Sequence, residues 1–342
     1  MARPVPRAPE EGVIATGSTA TGSTSRDPVR VEVAGLTKTF GAVRAVDDLS
    51  FTVEPGSVTG FLGPNGAGKT TTLRMALGLL VADSGGATFN GRAYRDLPEP
   101  TRTVGAVLET AFHPARSGRN HLRVYCRAAG FPLTRADEVL HQVGLADAGN
   151  RRAGGYSLGM RQRLALATAL LGDPAVLVLD EPANGLDPEG IQWLRGFLRH
   201  LAHVEGRTVL VSSHLLAEVE QTVDRVVIVG AGRLVREGSI AELRAGAEGA
   251  GSVVVRGPEV TRLAPLLEGP GRAVAVEDGT RLTVTGATTD QVGATAFAAG
   301  IELHELASHS SGLEQIYFQL TSGTEQYAAA PVGGASTQGD PR

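Results

Sequence analysis

The sequence predicts an α/β fold with an added antiparallel β layer and a helical insertion, followed by a small C-terminal α+β unit. Three observations support this prediction: a glycine-rich turn between a strand and a helix, an alternation of strand and helix patterns after it, and a change of pattern near residue 240. At 342 residues, with 42% hydrophobic and 20% charged side chains, the chain is long enough for one large domain and a smaller one.

The glycine-rich turn has the spacing Gly63-x-x-x-x-Gly68-Lys69-Thr70. It follows the apolar run SVTGFL and precedes a segment with helical apolar spacing, so the predicted order is strand, loop, helix. Such a loop turns its backbone amides toward phosphate oxygens, while the lysine reaches the β- and γ-phosphates and the hydroxyl binds Mg²⁺. The predicted nucleotide-binding residues are Gly63, Pro64, Asn65, Gly66, Ala67, Gly68, Lys69, Thr70 and Thr71.

Lysine is rare in this chain. Of the 32 basic Lys and Arg residues only Lys38 and Lys69 are lysine. A planar arginine fork does not substitute for the slim ammonium group at this position of a phosphate loop. The scarcity of lysine therefore argues against a chance match of the motif in a chain with 45 glycines.

A second apolar run, AVLVLD, ends in Asp180 and is followed by Glu181. Two acids after a strand are also typical of ordinary surface positions, and alone they would favour that interpretation. Beside a phosphate loop, however, the first acid of such a strand holds Mg²⁺ and the second faces the attacking water. We therefore expect Asp180 to be a metal ligand and Glu181 to be catalytic.

The remaining patterns surround these two motifs. Alternating apolar positions in VRVEVAGLTKTF and AVDDLSFTVEPGSVTGFLG predict an antiparallel layer beside the phosphate-loop strand. Helical patterns dominate residues 118–171, and strand and helix patterns alternate again from residue 175. After residue 240 the order β-α-β-β-α-β is predicted, with Asp278-Gly279 as a hairpin turn.

The predicted domain organisation follows from these patterns and from the composition of the two ends. Residues 1–28 and 322–342 are rich in Pro, Gly, Ala, Ser and Thr without an apolar stretch, so we expect both to be disordered. Between them we predict a nucleotide-binding domain at 29–240 and a small accessory domain at 241–321.

Composition excludes several classes of protein. A formal charge of −4 and a pI near 6.1 give no general attraction to nucleic acid, so no nucleic-acid partner is expected. Cys126 is the single cysteine, which excludes an intrachain disulfide. No run of 18 uncharged apolar residues is present, so the chain is not expected to span a membrane by itself.

The motifs together resemble the ATP-binding cassette of ABC transporters, a family of P-loop NTPases, and within it the drug and bacitracin-type exporters. The family signature LSGGQ corresponds to Tyr156-Ser157-Leu158-Gly159-Met160, which keeps the serine and the second glycine. Phe40 matches the aromatic residue that stacks on adenine, Asn184-Gly185-Leu186-Asp187 matches the D-loop, and Ser213-His214 matches the switch histidine. Three of these have a plainer interpretation alone: Ser157 as a helix cap, Phe40 as a core aromatic residue and His214 as a hydrogen-bonded bystander.

The resemblance implies ATP and Mg²⁺ as ligands and a head-to-tail homodimer or heterodimer of cassettes. Each ATP would lie between the phosphate loop of one chain and Ser157 and Gly159 of the other. Asp187 of the D-loop would also bind the nucleotide. Glu181 would orient or deprotonate water and His214 would contact the γ-phosphate. Glu109 stands where the family usually has a glutamine that senses Mg²⁺, and it can also bind the metal through oxygen.

Two functions remain open from the sequence. The favoured one is the ATPase subunit of an exporter, located in the cytoplasm and bound to the inner face of the membrane through a separate permease. The alternative is a soluble cassette ATPase acting in translation, DNA repair or cluster assembly. A single phosphate loop argues against the usual translation type, and the lack of a heptad insertion argues against the repair type.

Two further points concern partners. Residues 109–157 are expected to receive a short helix of the permease, with Phe112, Leu122, Tyr125 and Phe131 as apolar anchors among arginines. The C-terminal unit fits a stabilising appendage as well as it fits a regulatory or dimerisation module.

Overall fold

The computed structural model describes residues 27–109, 112–214, 220–243 and 252–309. Residues 1–26 and 322–342 of the predicted disordered ends lie outside these residues. So do residues 215–219 of the segment LLAEVEQTV and the closing segment GLEQIYFQLT, for both of which the sequence favours a helix. Within the described residues no helix is both long enough and apolar enough to cross a membrane.

Before residue 244 the described residues form a series of strands and helices. The strands are β1 (Val31–Phe40), β2 (Val43–Val53), β3 (Val58–Leu62), β4 (Ser84–Phe89), β5 (Val104–Val107), β6 (Val176–Leu179), β7 (Thr208–Ser213), β8 (Arg225–Gly230) and β9 (Arg233–Ser239). The helices are α1 (Lys69–Ala76), α2 (Pro100–Thr103), α3 (Gly118–Ala129), α4 (Thr134–Gln142), α5 (Leu158–Ala169) and α6 (Pro188–His203).

The central sheet has the strand order β5-β6-β7-β3-β8-β9. Its first five strands pair in parallel and β9 pairs antiparallel to β8. Every residue of β3, β6 and β7 is buried, which explains why these strands are nearly continuous apolar runs rather than alternating ones. Since the carboxyl ends of parallel strands meet at one edge, residues that follow β3, β5, β6 and β7 are brought together there.

The predicted antiparallel layer is present, with the strand order β2-β1-β4. The sequence patterns do not predict β4, since it contains Gly85 and Gly86 and glycine disfavours strands. Gly85 has φ +71°, and a Cβ there would lie 2.2 Å from the carbonyl oxygen of Gly35 on β1. The same glycine that hides the strand from prediction permits the close approach of β1 and β4.

The predicted helical insertion consists of α3, α4 and α5, whose apolar side chains share one core cluster with Leu177 and Leu179 of β6. The apolar pattern after the phosphate loop continues to Leu80, yet α1 ends at Ala76. Gly78 then adopts φ +69°, a left-handed conformation that terminates helices. Leu79 is consequently 68% exposed instead of lying on a helix face.

The C-terminal unit has the predicted β-α-β-β-α-β order. Its elements are β10 (Ser252–Arg256), α7 (Val260–Leu267), β11 (Ala273–Val276), β12 (Arg281–Thr285), α8 (Thr289–Ala298) and β13 (Glu305–His309). The strands pair antiparallel in the order β11-β12-β10-β13, the split β-α-β arrangement. Its own core cluster contains residues between Val253 and Leu303. The domain limits at 240 and 321 stay a prediction.

Candidate functional site

The loop between β3 and α1 requires glycine at its two ends. A Cβ on Gly63 would lie 2.6 Å from the carbonyl oxygen of Val229, and one on Gly68 would lie 2.3 Å from that of Ala45. Gly66 and Gly68 also have positive φ, at +84° and +95°. Other residues at these positions would collide with backbone or be strained, so the glycine spacing follows from the fold itself.

The first turn of α1 leaves amides free at the end of this loop. The first helical hydrogen bond runs from Thr72 N to Gly68 O at 2.9 Å, so the N–H groups of Lys69, Thr70 and Thr71 have no helical acceptor. Together with the positive end of the helix dipole they favour an anion. Of the other predicted loop residues, Asn65 is exposed, Pro64 is half-buried and Ala67 is buried.

Lys69 lies between the loop and the two acids that follow β6. Its Nζ donates to Gly63 O at 2.6 Å and to Pro64 O at 3.3 Å, and lies 3.4 Å from Glu181 Oε1. The residue is only 6% exposed. Burial lowers the pKa of the Lys69 ammonium, and the charges of Glu181 and Asp180 act to raise it again.

Asp180 accepts hydrogen bonds from two hydroxyls. Thr70 Oγ1 donates to its Oδ2 at 2.7 Å, and Ser212 Oγ donates to its Oδ1 at 2.5 Å. Ser212 Oγ also accepts from the backbone N–H of Glu181 at 2.8 Å. Ser212 thus fixes both acids, and sequence reasoning missed it. The register of β6 and β7 pairs Leu179 with Val211, so aligning the two strand patterns would have placed Ser212 beside Asp180.

Glu181 and His214 form the next contact along this edge. His214 Nδ1 lies 2.9 Å from Glu181 Oε2, and because an ionised carboxylate only accepts, Nδ1 donates. Glu181 has φ +47°, a left-handed conformation that costs a non-glycine residue about 1–3 kcal/mol. Strain of this kind clusters at functional sites, where the surroundings hold it in place.

Phe40 and Glu109 lie toward the solvent. Phe40, at the end of β1, is 49% exposed, so it is not a core residue, and Lys38 Nζ lies 5.6 Å from its ring centroid. Glu109 follows β5, and its Oε1 accepts from Arg74 Nη2 at 2.6 Å. The carboxylate of Glu109 is therefore engaged by α1, and its role as a metal ligand stays a prediction.

The predicted signature and D-loop residues form a separate group. Ser157 Oγ accepts from Met160 N at 3.3 Å and caps α5, and Asp187 Oδ1 accepts from Gly190 N at 2.8 Å and caps α6. With Gly159 they line an open cavity of about 440 Å³, and none of its described lining residues belongs to the phosphate loop. In the described part of the structure, the signature and D-loop residues therefore do not share a cavity with the phosphate loop of the same chain.

Side-chain packing holds that group together. A Cβ on Gly185 would lie 2.6 Å from Leu158 Cδ2, so the signature leucine rests on the D-loop glycine. Arg163 of α5 lies with its Cζ 4.0 Å from the ring centroid of Trp193 on α6. Burial lowers the pKa of the Arg163 guanidinium, while nearby Glu189 and Asp187 act to raise it.

The oxygen donors beside the phosphate loop suit Mg²⁺. Among the described residues no group of three or more His, Cys, Asp or Glu could hold a metal by itself. Mg²⁺ in nucleotide sites usually takes one or two protein oxygens and completes its shell with phosphates and water. The Thr70 hydroxyl and the Asp180 carboxylate, 2.7 Å apart, offer such a pair.

Comparisons with known proteins show which families and relatives the chain resembles. The ABC transporter family model matches residues 46–184, and a family described only as a domain of unknown function matches residues 251–314. The bacitracin transport ATP-binding protein BcrA of Bacillus licheniformis is 42% identical over 210 residues, 60% of this chain and 69% of that protein. The daunorubicin resistance ATP-binding protein DrrA3 of Streptomyces coeruleorubidus is 35% identical over 305 residues, 85% of this chain and 95% of that protein.

Solved structures share the fold. The ATP-binding subunit of an ABC transporter superposes with a TM-score of 0.56 at 29% identity, covering 63% of this chain and 92% of the other. A dimeric cassette in a post-hydrolysis state with ADP and Pi, MJ0796, has a TM-score of 0.56 over 61% of this chain and 98% of its own. At 21% identity it supports the fold alone.

A parallel α/β core with a phosphate loop, an antiparallel layer and a helical insertion defines the class of ATP-binding cassettes. This chain belongs to the ABC transporter ATP-binding proteins. It binds and hydrolyses ATP as the nucleotide-binding subunit of an ABC exporter, so the predicted fold, family and activity are confirmed.

Proposed function

We propose that the phosphates of ATP bind the loop of residues 63–71, that Mg²⁺ binds beside Thr70 and Asp180, and that Glu181 acts on the attacking water. The observation that carries this proposal is the continuous set of contacts from Thr70 through Asp180 and Ser212 to Glu181 and His214. Thr70 lies on α1 and Ser212 on β7, whereas the other three residues follow β6 or β7, yet all of them meet at one edge of the sheet.

The chain's own residues have distinct roles in this proposal. Lys69 neutralises β- and γ-phosphate charge, and the free amides of α1 bind phosphate oxygens. Glu181 accepts a proton from water or orients it, and His214 holds the carboxylate of Glu181 in place. Mg²⁺, when bound, neutralises charge on the phosphate oxygens. Phe40 is free to stack on the adenine, since its ring is half-exposed.

The site is completed by a second cassette, from another copy of this chain or from a related subunit. Ser157, Gly159 and Asp187 then act on the nucleotide held by the partner's phosphate loop. Two observations support this arrangement. Ser157 and Asp187 are held by hydrogen bonds at their own helix starts, and the cavity that they line contains no described residue of the phosphate loop. The positive end of α5 suits the γ-phosphate.

The experiment that tests the catalytic assignment is Glu181→Gln. The amide keeps the side-chain volume but cannot accept the proton, so we expect hydrolysis to fall about 10²- to 10⁴-fold with ATP binding retained. Phosphate release measures the first effect, and size-exclusion chromatography with ATP should detect a trapped dimer. Glu99→Gln is the matched control, since Glu99 is an exposed carboxylate that pairs with Arg102. Unchanged turnover in Glu181→Gln would remove Glu181 from the mechanism.

The transport partner is a separate membrane permease, and the transported class is a drug or peptide antibiotic. The names of the bacitracin and daunorubicin relatives support this. Fewer of the predicted anchor residues can contact the permease than the sequence suggests. Leu122 is fully buried in the core and cannot be an anchor, whereas Tyr125 is exposed and Phe112 is partly buried. Fractionating cells with and without the permease tests the partner, and only co-expression should bring the chain to the membrane.

A further inference from the structure

Helix α1 presents two polar groups to two neighbouring strand ends. Thr70 and Arg74 are four positions apart and therefore share one face of the helix. Thr70 donates to Asp180, which follows β6, and Arg74 donates to Glu109, which follows β5. One helix face thus carries a hydroxyl for the first carboxylate and a guanidinium for the second.

The strand ends place these two carboxylates close together along the sheet. Asp180 N donates to Val107 O at 2.8 Å, where β5 and β6 run in parallel. Glu109 is two positions after Val107, so its backbone lies within about 7 Å of that carbonyl along the chain. The side chain of Glu109 can therefore turn either to Arg74 or toward the oxygen donors at Thr70 and Asp180.

The orientation of the Glu109 side chain changes the balance of charge at this edge of the sheet. Lys69 Nζ lies 3.4 Å from Glu181 Oε1, and the charge of Asp180 also acts on Lys69. The single positive charge of Lys69 therefore interacts with two carboxylates. Glu109, the third acid, has the guanidinium of Arg74 instead. A carboxylate that turned toward the loop would attract a divalent cation and repel phosphate.

We propose that Arg74 is a positioning residue that competes with the divalent cation for the carboxylate of Glu109. This rests on the Mg²⁺–nucleotide site proposed above. The Arg74 and Glu109 side chains are 44% and 72% exposed, and exposed ion pairs are weak enough for a cation to break. By linkage, cation binding weakens the Arg74–Glu109 pair by the same factor as the pair weakens cation binding.

The test uses the full chain with saturating ADP and Mn²⁺ as the cation, and electron paramagnetic resonance counts the free Mn²⁺. Arg74→Gln should bind Mn²⁺ about two- to fivefold more tightly than the unmodified chain, because Glu109 is released. In a Glu109→Gln background the same change should leave Mn²⁺ affinity unaltered, since no carboxylate is left to compete for. Arg74→Lys, which keeps a cation, should lie near the unmodified chain.

The control for loss of a positive charge is Arg95→Gln, an exposed arginine that lies beside Asp96. Thermal unfolding shows that each variant is folded. Unchanged Mn²⁺ affinity in Arg74→Gln would overturn the proposal, as would an equal gain in both Glu109 backgrounds, which would mean general charge repulsion. If no variant and not even the unmodified chain binds Mn²⁺ with ADP, the proposed metal site itself falls and this inference with it.

Discussion

Two regions of the cassette organise their polar groups in opposite ways. The phosphate-binding edge, which we define as residues 63–71 with Asp180, Glu181, Ser212 and His214, joins groups from α1, β6 and β7 to one another. The signature face, defined as residues 157–160 with residues 184–187, instead has the side chains of Ser157 and Asp187 each bonded at the start of its own helix. The first region is a network within one chain, and the second consists of two capped helix starts.

This difference has a physical consequence. A network across three elements holds its groups in place before the ligand arrives, which is the condition for strong electrostatic stabilisation. Capped helix starts keep their dipoles and outer amides available, but on this face no described phosphate-loop residue lines the cavity beside them. Under the proposed function, the signature face acts only when a second cassette supplies the nucleotide.

The largest difference between the two regions is expected in nucleotide affinity after a glycine is replaced by alanine. In Gly68→Ala the new Cβ would lie 2.3 Å from a backbone oxygen at a φ of +95°, so the loop must move. Each hydrogen bond from a loop amide to a charged phosphate is worth about 1.5–3 kcal/mol, so we expect the affinity for a fluorescent ATP analogue to fall at least about tenfold.

The matched change on the signature face is Gly159→Ala. There the Cβ would make an ordinary contact, 3.8 Å from Leu186 Cδ2, and alanine suits the first turn of a helix. Single-chain nucleotide affinity should stay within about twofold, and only ATP-dependent dimer formation should weaken. Equal losses of affinity in the two variants would mean that the regions are not independent within one chain.

A smaller effect separates the two roles of Ser157, helix cap and phosphate contact. Ser157→Ala should lower the free energy of unfolding by about 0.5–2 kcal/mol, because the cap is lost. Ser157→Asp keeps the cap and should unfold like the unmodified chain, yet its negative charge would face the partner's γ-phosphate.

Thermal unfolding and ATP turnover together decide between these roles. We expect Ser157→Asp to be stable but to hydrolyse ATP more slowly than Ser157→Ala. If Ser157→Asp turns over ATP like the unmodified chain, Ser157 is a helix cap and no more.

From strand and helix context the sequence predicted the loop of residues 63–71 and the acids Asp180 and Glu181 as site residues. The structure brings Thr70 into contact with Asp180, and the binding and catalytic roles of these residues stay predictions. Sequence reasoning also predicted the β-α-β-β-α-β order of the C-terminal unit from local patterns, which the structure confirms. Sequence reasoning failed for β4, because Gly85 is a residue that disfavours strands. It also failed for the end of α1, because the apolar pattern continues past Gly78, where the backbone leaves the helical conformation.

The sequence by itself determined the family, the phosphate loop and the order of elements, because these depend on local spacing and on backbone conformations that only glycine adopts easily. The tertiary structure alone decided that Ser212 bonds the carboxylate of Asp180 and the backbone of Glu181, that Arg74 holds Glu109, and that Leu122 belongs to the core. Those relations depend on strand register and on which helix face meets which strand end. Register and packing arise from contacts between residues far apart in the chain, so the local spacing of residues does not predict them.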